Sequence, residues 1–390
     1  MARITQLLAA GLAARHEIHV FGTDIFQKEP FKGTFHLHYN PHPADVFGEG
    51  TLPGLIDSLQ PDVILLYCDI WFAERHMSAI RKAAHHCPVT GYIPVDGQLN
   101  HPEFAKGLAQ LSSVVAFTAF GKRVLKDCAT QLGIARQPPF RRMAVIPHPL
   151  DGGRFHPLSG STAGRRIAAR EALFPGKDEL RRGFWVLNAN KNQHRKRIDL
   201  TLRGFAEFAR NKPENVRLCL HMATKGQQTD VEQEARILGI FDRLVLTDPG
   251  SKHPHWPAEK LNLLYNACDV GLNTAMGEGW GLVSMEHAAT GAPQVLPDHT
   301  ACTEIWKGAA AFLPAKPQVY GNGWLTGGLV EPAAIAEQLE RLYEDNGHYH
   351  SLLQAGLRKA TQVAWSQGGV VRMWEQHFEQ ILLSDHAKIQ

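Results

Sequence analysis

The chain has 390 residues, 44% of them hydrophobic and 20% charged, with a formal net charge of +3. That is the composition of an ordinary globular chain long enough for two domains. It excludes a charge-driven nucleic-acid partner and does not oppose contact with an anionic membrane surface.

Residues 1–15 carry Ile4, Leu7, Leu8 and Leu12 on one stripe and predict a helix with no cleavage site after it. Strands are expected at His16–Phe21 and Phe35–Tyr39, and a helix over 52–59 ending at Pro61. Val63–Tyr67 is a continuous apolar run of the kind buried on both faces of a parallel sheet. A helix near 71–85, a strand at Val89–Ile93, a helix ending near Leu111, a strand at 113–117, a helix over 121–132 and a strand at 143–146 follow. Such strand–helix alternation implies a doubly wound sheet with right-handed crossovers.

Residues 159–182 are polar and basic and read as the connection between two domains. A second alternation opens at Phe184–Leu187 and runs through a helix over 198–210, a strand at 217–221 and a helix over 231–238. It continues with a strand at 244–246, a helix over 257–266 and a strand at 268–273. Beyond Glu304 the chain reads as irregular and Gly-rich up to Gly328, then as helices over 332–343, 348–364 and 370–383.

The six cysteines form no Cys-x-x-Cys pair and read as reduced core residues of a cytoplasmic protein. No apolar run reaches the ~18 residues of a membrane span. Twenty-one histidines include the clusters His36/His38/His42, His85/His86 and His253/His255. None has a carboxylate or Cys at a recognisable zinc spacing, so solvated or core histidine is expected, and no metal or cofactor. There is no Asp-x-Asp pair either.

Two stretches carry chemistry. In Met276–Glu304, Glu278 and Glu286 are separated by seven residues, and Gly279-Trp280-Gly281-Leu282 reads as a tight turn entering a helix that Gly291-Ala292-Pro293 stops. Glycines allow close approach of a ligand, and the free N–H groups of a helix start form an anion site. In Asn188–Asp199, four cations (Lys191, Arg195, Lys196, Arg197) follow a strand's C-terminal end, where ligands bind in open α/β sheets. Fixed cations there would stabilise negative charge growing on a leaving diphosphate.

The Glu-(seven residues)-Glu stretch resembles the signature of the retaining glycosyltransferases of family 4. The resemblance implies the GT-B fold: two Rossmann-like domains facing a cleft, here residues 1–155 for the acceptor and 156–365 for the nucleotide sugar, with 366–390 crossing back as a C-terminal helix. Val145–Asp151 with Phe155 resembles the family's interdomain linker, His148 and Pro149 replacing its usual Asn and Gly. Trp365-Ser366 resembles the hinge pair before the crossing. By the same resemblance Glu278 contacts the donor sugar, Gly279, Trp280, Gly281 and Leu282 hold sugar and diphosphate, and Glu286 holds the ribose. Lys196 matches the family's Lys, and Lys191 stands where its Arg is usual, with Arg195 able to serve if the loop bends differently. Asn190 and Thr247 are expected near the donor, and Asp96, ending a buried strand, beside the transferred sugar. Family members open with a strand and Gly-rich turn upstream of the first helix, so the first domain is expected to lack that strand. His16–Phe21 and Val63–Tyr67 would then flank a gap, unless a segment such as Phe35–Tyr39 fills it.

The implied reaction is transfer of a hexose, with retention, from a GDP- or UDP-sugar to a hydroxyl of a glycan or lipid-linked saccharide. An inverting GT-B transferase, a sugar-nucleotide epimerase and a sugar-nucleotide-binding protein without turnover are the rival readings.

Overall fold

The computed structural model describes residues 2–23, 31–225 and 228–389. The chain divides into two compact units. One holds residues 1–95, 99–149 and 363–390, and the other 96–98 and 150–362.

The first unit opens with helix α1 (Ala2–Leu12), which buries Ile4, Leu8 and Leu12. Strands β1 (His19–Gly22) and β2 (His36–Tyr39) pair in parallel. Then come α2 (Leu52–Leu59), β3 (Ile64–Tyr67), α3 (Ala73–Ile80), β4 (Val89–Ile93), the two-residue β5 (Gln98–Leu99), whose Gln98 belongs to the second unit, β6 (Ser113–Ala116), α4 (Ala119–Gln131), α5 (Pro138–Arg141) and β7 (Ala144–Val145). A four-stranded parallel sheet has the order β3-β4-β6-β7. β4 and β6 are buried throughout, as central strands of apolar sequence should be. Thr118 caps α4 by accepting from the Gly121 amide at 3.0 Å. The expected helix before Leu111 is a 3-10 stretch over Pro102–Gln110. Gly107 lets it lie against the Glu74 backbone, whose nitrogen would sit 2.9 Å from any Cβ placed there.

Two expectations for this unit need correction. β3 is half-buried along its length rather than fully buried. The reason is its place at an edge: among the described residues it pairs with β4 alone. β2 pairs with β1 and not with β3, so Phe35–Tyr39 does not fill the interval between β1 and β3.

The second unit begins with α6 (Thr162–Leu173), where a polar connection was expected. Its arginines are buried: Arg166 and Arg170 each reach Asp269 at 2.7 Å, and Arg170 Nε donates to the Ala267 carbonyl at 2.8 Å. Basic residues close to one another on one helix satisfy the carbonyls that end the neighbouring helix and stay inside, so a basic composition misled the sequence reading.

The elements after it are β8 (Phe184–Asn188), α7 (Ile198–Ala209), β9 (Val216–Leu220), α8 (Val231–Ile237), β10 (Leu244–Leu246), α9 (Ala258–Ala267), β11 (Val270–Leu272), α10 (Leu282–Ala289) and β12 (Gln294–Pro297). The region after Glu304 is more regular than expected. Helix α11 (Thr300–Trp306) runs past Glu304, and β13 (Ala311–Leu313) joins the main sheet. β14 (Ala315–Tyr320) and β15 (Leu325–Val330) then form an antiparallel hairpin, closed by Gly321, Asn322 and Gly323 at φ of 60°, 56° and 88°. Glycines that look like loop residues in sequence here permit a turn with successive positive φ. Helices α12 (Pro332–Glu344) and α13 (Asn346–Ala360) follow.

The main sheet is parallel, in the order β10-β9-β8-β11-β12-β13. Its core joins Val186, Leu218, Val270 and Val295 to Phe205 and Phe208 of α7 and Ile335 and Leu339 of α12. Strand order reverses between β8 and β11, so their C-terminal ends open the crevice where such sheets bind ligands.

The last helix, α14 (Gln367–Ile389), belongs to the first unit. Gln367 donates to the Leu7 carbonyl at 2.8 Å, and Trp374 packs edge-on against Tyr92 with centroids 5.0 Å apart. His377 Nε2 lies 3.2 Å from Thr90 Oγ1 and 3.0 Å from Ser113 Oγ. Among the described residues no helix is long and apolar enough to cross a membrane, and all six cysteines are free thiols.

Candidate active site

The loop leaving β8 is built by its own side chains. Asn188 Oδ1 accepts from the Asn190 amide at 3.0 Å and from Asn190 Nδ2 at 3.0 Å, while its Nδ2 donates to Thr201 Oγ1 at 2.9 Å. Thr201 and Thr274 hydroxyls are 2.7 Å apart, and Thr274 Oγ1 donates to the Lys196 carbonyl at 2.9 Å. A polar chain thus ties the loop after β8 to the loop after β11. The 3-10 turn His194–Lys196 ends at Arg197 with φ 47°, and the Met276 amide donates to the Arg195 carbonyl at 2.7 Å. This turn aims Arg195 and Lys196 at Glu278.

Glu278 is the centre of the arrangement. Its carboxylate accepts from Lys196 Nζ, from Asn273 Nδ2 at 2.8 Å, and pairs with Arg195 Nη1 at 3.5 Å. Its backbone is held as well: the Glu278 amide donates to Thr300 Oγ1 at 3.3 Å, and the Ala301 amide donates to the Glu278 carbonyl at 3.3 Å. His299 Nε2 lies 2.9 Å from the Ala275 carbonyl oxygen. Burial alone would raise the Glu278 pKa, but Lys196 and then Arg195 outweigh it and hold the carboxyl down at about 2. Burial pushes the Lys196 pKa down, against the pull of Glu278. At neutral pH the pair is a buried ion pair, and its remaining lone pairs are covered by Asn273 and Arg195.

Asp96 joins the same cluster, since residues 96–98 belong to the second unit. Arg195 Nη2 lies 3.3 Å from Asp96 Oδ2, and Tyr320 Oη donates to the Asp96 carbonyl at 3.1 Å. Gly277 makes this possible: a Cβ there would stand 2.0 Å from Tyr320 Oη and 2.3 Å from the Asp96 oxygen.

The other expected residues belong to the same unit. Gly279 and Trp280 are buried, and Gly281 at φ 85° caps α10, with Leu282 its first residue. Glu286 is buried on α10, its Oε2 accepting from Tyr265 Oη at 2.9 Å. Asn190 is buried behind Asn188. Thr247 directly follows β10 and lies against His221, whose Nδ1 is 2.8 Å from Thr247 Oγ1. Burial, then His253 and Lys260, hold His221 down at about 4. Lys191 is exposed and lies electrostatically near His253; Arg195, not Lys191, stands beside Lys196 at Glu278.

Sequence reasoning passed over Asn273, Thr300 and Tyr320. Asn273 was within reach of it, as the polar residue that ends the apolar strand before the motif. Tyr320 was not, because the hairpin that carries it read as irregular.

Comparison with known proteins bears on this site. Residues 184–345 match the family model described as Glycosyl transferases group 1. That segment contains β8, β11, both loops, Lys196, Glu278 and Glu286. The sucrose-phosphate synthase structure from Thermosynechococcus elongatus superposes with TM-score 0.71, covering 98% of this chain and 93% of that one at 15% identity. The chain has the fold of the GT-B glycosyltransferases. The Anabaena protein HepE, solved in complex with UDP and glucose, gives TM-score 0.66 over 96% of this chain and 95% of its own, also at 15% identity. A D-inositol 3-phosphate glycosyltransferase from Salinispora tropica is 28% identical over 233 residues, 58% of this chain and 44% of the relative. The match thus spans less than half the length of that relative.

Proposed function

We propose that the chain is a retaining glycosyltransferase of the family 4 type, moving a hexose from a UDP- or GDP-sugar to a hydroxyl of a saccharide or lipid-linked acceptor. The observation that carries this is the convergence of Lys196, Arg195 and Glu278 where strand order reverses in the sheet. The segment match to Glycosyl transferases group 1 and the UDP in the HepE structure favour a nucleotide sugar over other phosphorylated ligands.

In this reading Lys196 and Arg195 face the diphosphate. The bond from the anomeric carbon to the phosphate oxygen breaks, and the charge that grows on that oxygen meets the two cations. The acceptor oxygen bonds to the same face of the anomeric carbon, and its proton passes to the departing phosphate oxygen. Fixed cations supply the positive charge that a divalent metal supplies in other transferases. Glu278 holds Lys196 charged in a buried site and contacts the sugar. The amides of Gly279 to Leu282 hold sugar and diphosphate, and Glu286 holds the ribose. On the same reading Asn190 and Thr247 contact the nucleotide, and Asp96 the transferred sugar. Lys191 has the weaker claim of the cations, being exposed. Six free thiols suit a reducing, cytoplasmic compartment.

The test is proton NMR of the product formed from an α-configured UDP- or GDP-hexose. An α-linked product supports the reading. A β-linked product would make the enzyme inverting, and donor binding without transfer or hydrolysis would make the chain a binding protein.

A further inference from the structure

We propose that Glu17, His19 and His36 form a binding site for a divalent transition-metal ion of the zinc type, with His38 orienting His19. The site lies at the start of β1 and on β2 of the first unit and takes no part in the donor chemistry proposed for the second.

Local sequence sets it up. Glu17-x-His19 and His36-x-His38 each repeat with the two-residue period that puts side chains on one face of a strand. Parallel pairing then brings the two strands into register, with His19 opposite His36 and Phe21 opposite His38. The His36 amide donates to the Ile18 carbonyl at 2.8 Å, so the pairing reaches past His19 toward Glu17. Glu17 is the carboxylate that sequence spacing did not reveal, because it reaches the histidines only through strand pairing.

The geometry suits a metal. One donor atom each from Glu17, His19 and His36 lies within 4.8 Å of the others. The His19 ring stacks on His36 with centroids 4.6 Å apart and on His38 at 5.1 Å. His19 Nε2 is 3.0 Å from Glu17 Oε1, and its Nδ1 is 2.8 Å from His38 Nε2. With the proton on Nδ1, His19 donates to His38 and leaves the Nε2 lone pair turned toward Glu17. That is how a metal-ligating histidine is usually fixed: its second nitrogen donates to a neighbour. Two imidazoles and one carboxylate are a donor set zinc takes with a fourth position for water, and imidazole also suits nickel and copper. Glu17 and His36 are exposed and His19 half-buried, so an ion can enter and the side chains can draw in. A bound ion would staple β1 to β2, a two-stranded pair with little support of its own.

The experiment uses the untagged 390-residue chain, stripped with chelator and titrated with Zn2+ by calorimetry, with Co2+ followed by visible absorption. The expected result is one ion per chain at micromolar affinity or tighter, with a tetrahedral Co2+ spectrum. His19→Ala and His36→Asn should abolish it, and His38→Ala should weaken it about 10- to 100-fold. His350→Ala, an exposed histidine on α13, should change nothing. Circular dichroism of the metal-free variants checks that they fold, and His36→Asn alters an exposed side chain. Absence of stoichiometric uptake, or uptake that survives His19→Ala and His36→Asn, would overturn the proposal. Full affinity in His38→Ala would remove the role given to His38.

Discussion

Lys196 and Glu278, 82 residues apart in the chain, meet as a buried ion pair at the ends of two adjacent parallel strands. A lysine and a glutamate leave water together only at considerable cost, and the geometry must repay it. Here Asn273, Arg195 and the backbone clamp from Thr300 complete the site. The pair is therefore fixed before any ligand arrives, which is what electrostatic stabilisation of a transition state requires.

Its pH dependence follows from the sign of the shift. The folded Glu278 carboxyl is depressed from 4.5 to about 2. Its stabilisation is full above the unfolded value and is lost as pH falls through the folded one. The downward shift of Lys196 costs stability over the same acid range without varying across it. Wild-type chain should lose about 3 kcal/mol between roughly pH 5 and pH 2 through this group. Urea unfolding against pH should show that slope reduced in Glu278→Gln.

Gly277→Ala should impair the site without unfolding the unit. The added Cβ would displace Tyr320 or the Asp96 carbonyl, and with it the partner of Arg195. Turnover should fall at least tenfold, with thermal stability lowered by no more than about 1–3 kcal/mol, the usual cost of overpacking. Tyr320→Phe, which removes one hydrogen bond, should cost only about 1 kcal/mol.

Asp269→Ala should be among the most destabilising single changes. It strands Arg166 and Arg170, both buried and both paired to Asp269. Breaking a buried pair from one side costs about 3–5 kcal/mol. Denaturant midpoints measure it, and a loss below 1 kcal/mol would show that the carbonyls alone satisfy the arginines.

Much of this architecture was legible in sequence, and the exceptions share a cause. β4, β8 and α7 carry periodicities that local rules read well, and the Glu278 and Lys196 stretches sit at strand ends where ligands bind. The buried arginines of α6 looked like a solvated linker because composition does not show which carbonyls lie opposite. β3 looked buried on both faces because an apolar run does not show how much of a strand its neighbours cover. The β14–β15 hairpin hid behind its glycines, and Tyr320 with it. Glu17 stood unremarked because only the β1–β2 register brings it to His19 and His36. What escaped was pairing between distant segments, which no local pattern encodes.

Glu286→Ala should separate binding from chemistry. If it holds the ribose, donor KM should rise about tenfold or more with kcat within a few-fold of wild type. A large fall in kcat at unchanged KM would move Glu286 from binding to the reacting centre.

The most direct test is single-turnover transfer by Lys196→Ala at saturating donor, beside the donor Kd from calorimetry. In the proposed reaction the charge that Lys196 meets develops fully only as the sugar–phosphate bond breaks. The transfer rate should therefore fall about 10²–10³-fold, as when one preorganised group is removed, while Kd changes less than tenfold. A transfer rate within a few-fold of wild type would contradict the assignment of the Lys196–Glu278 pair as the reacting centre.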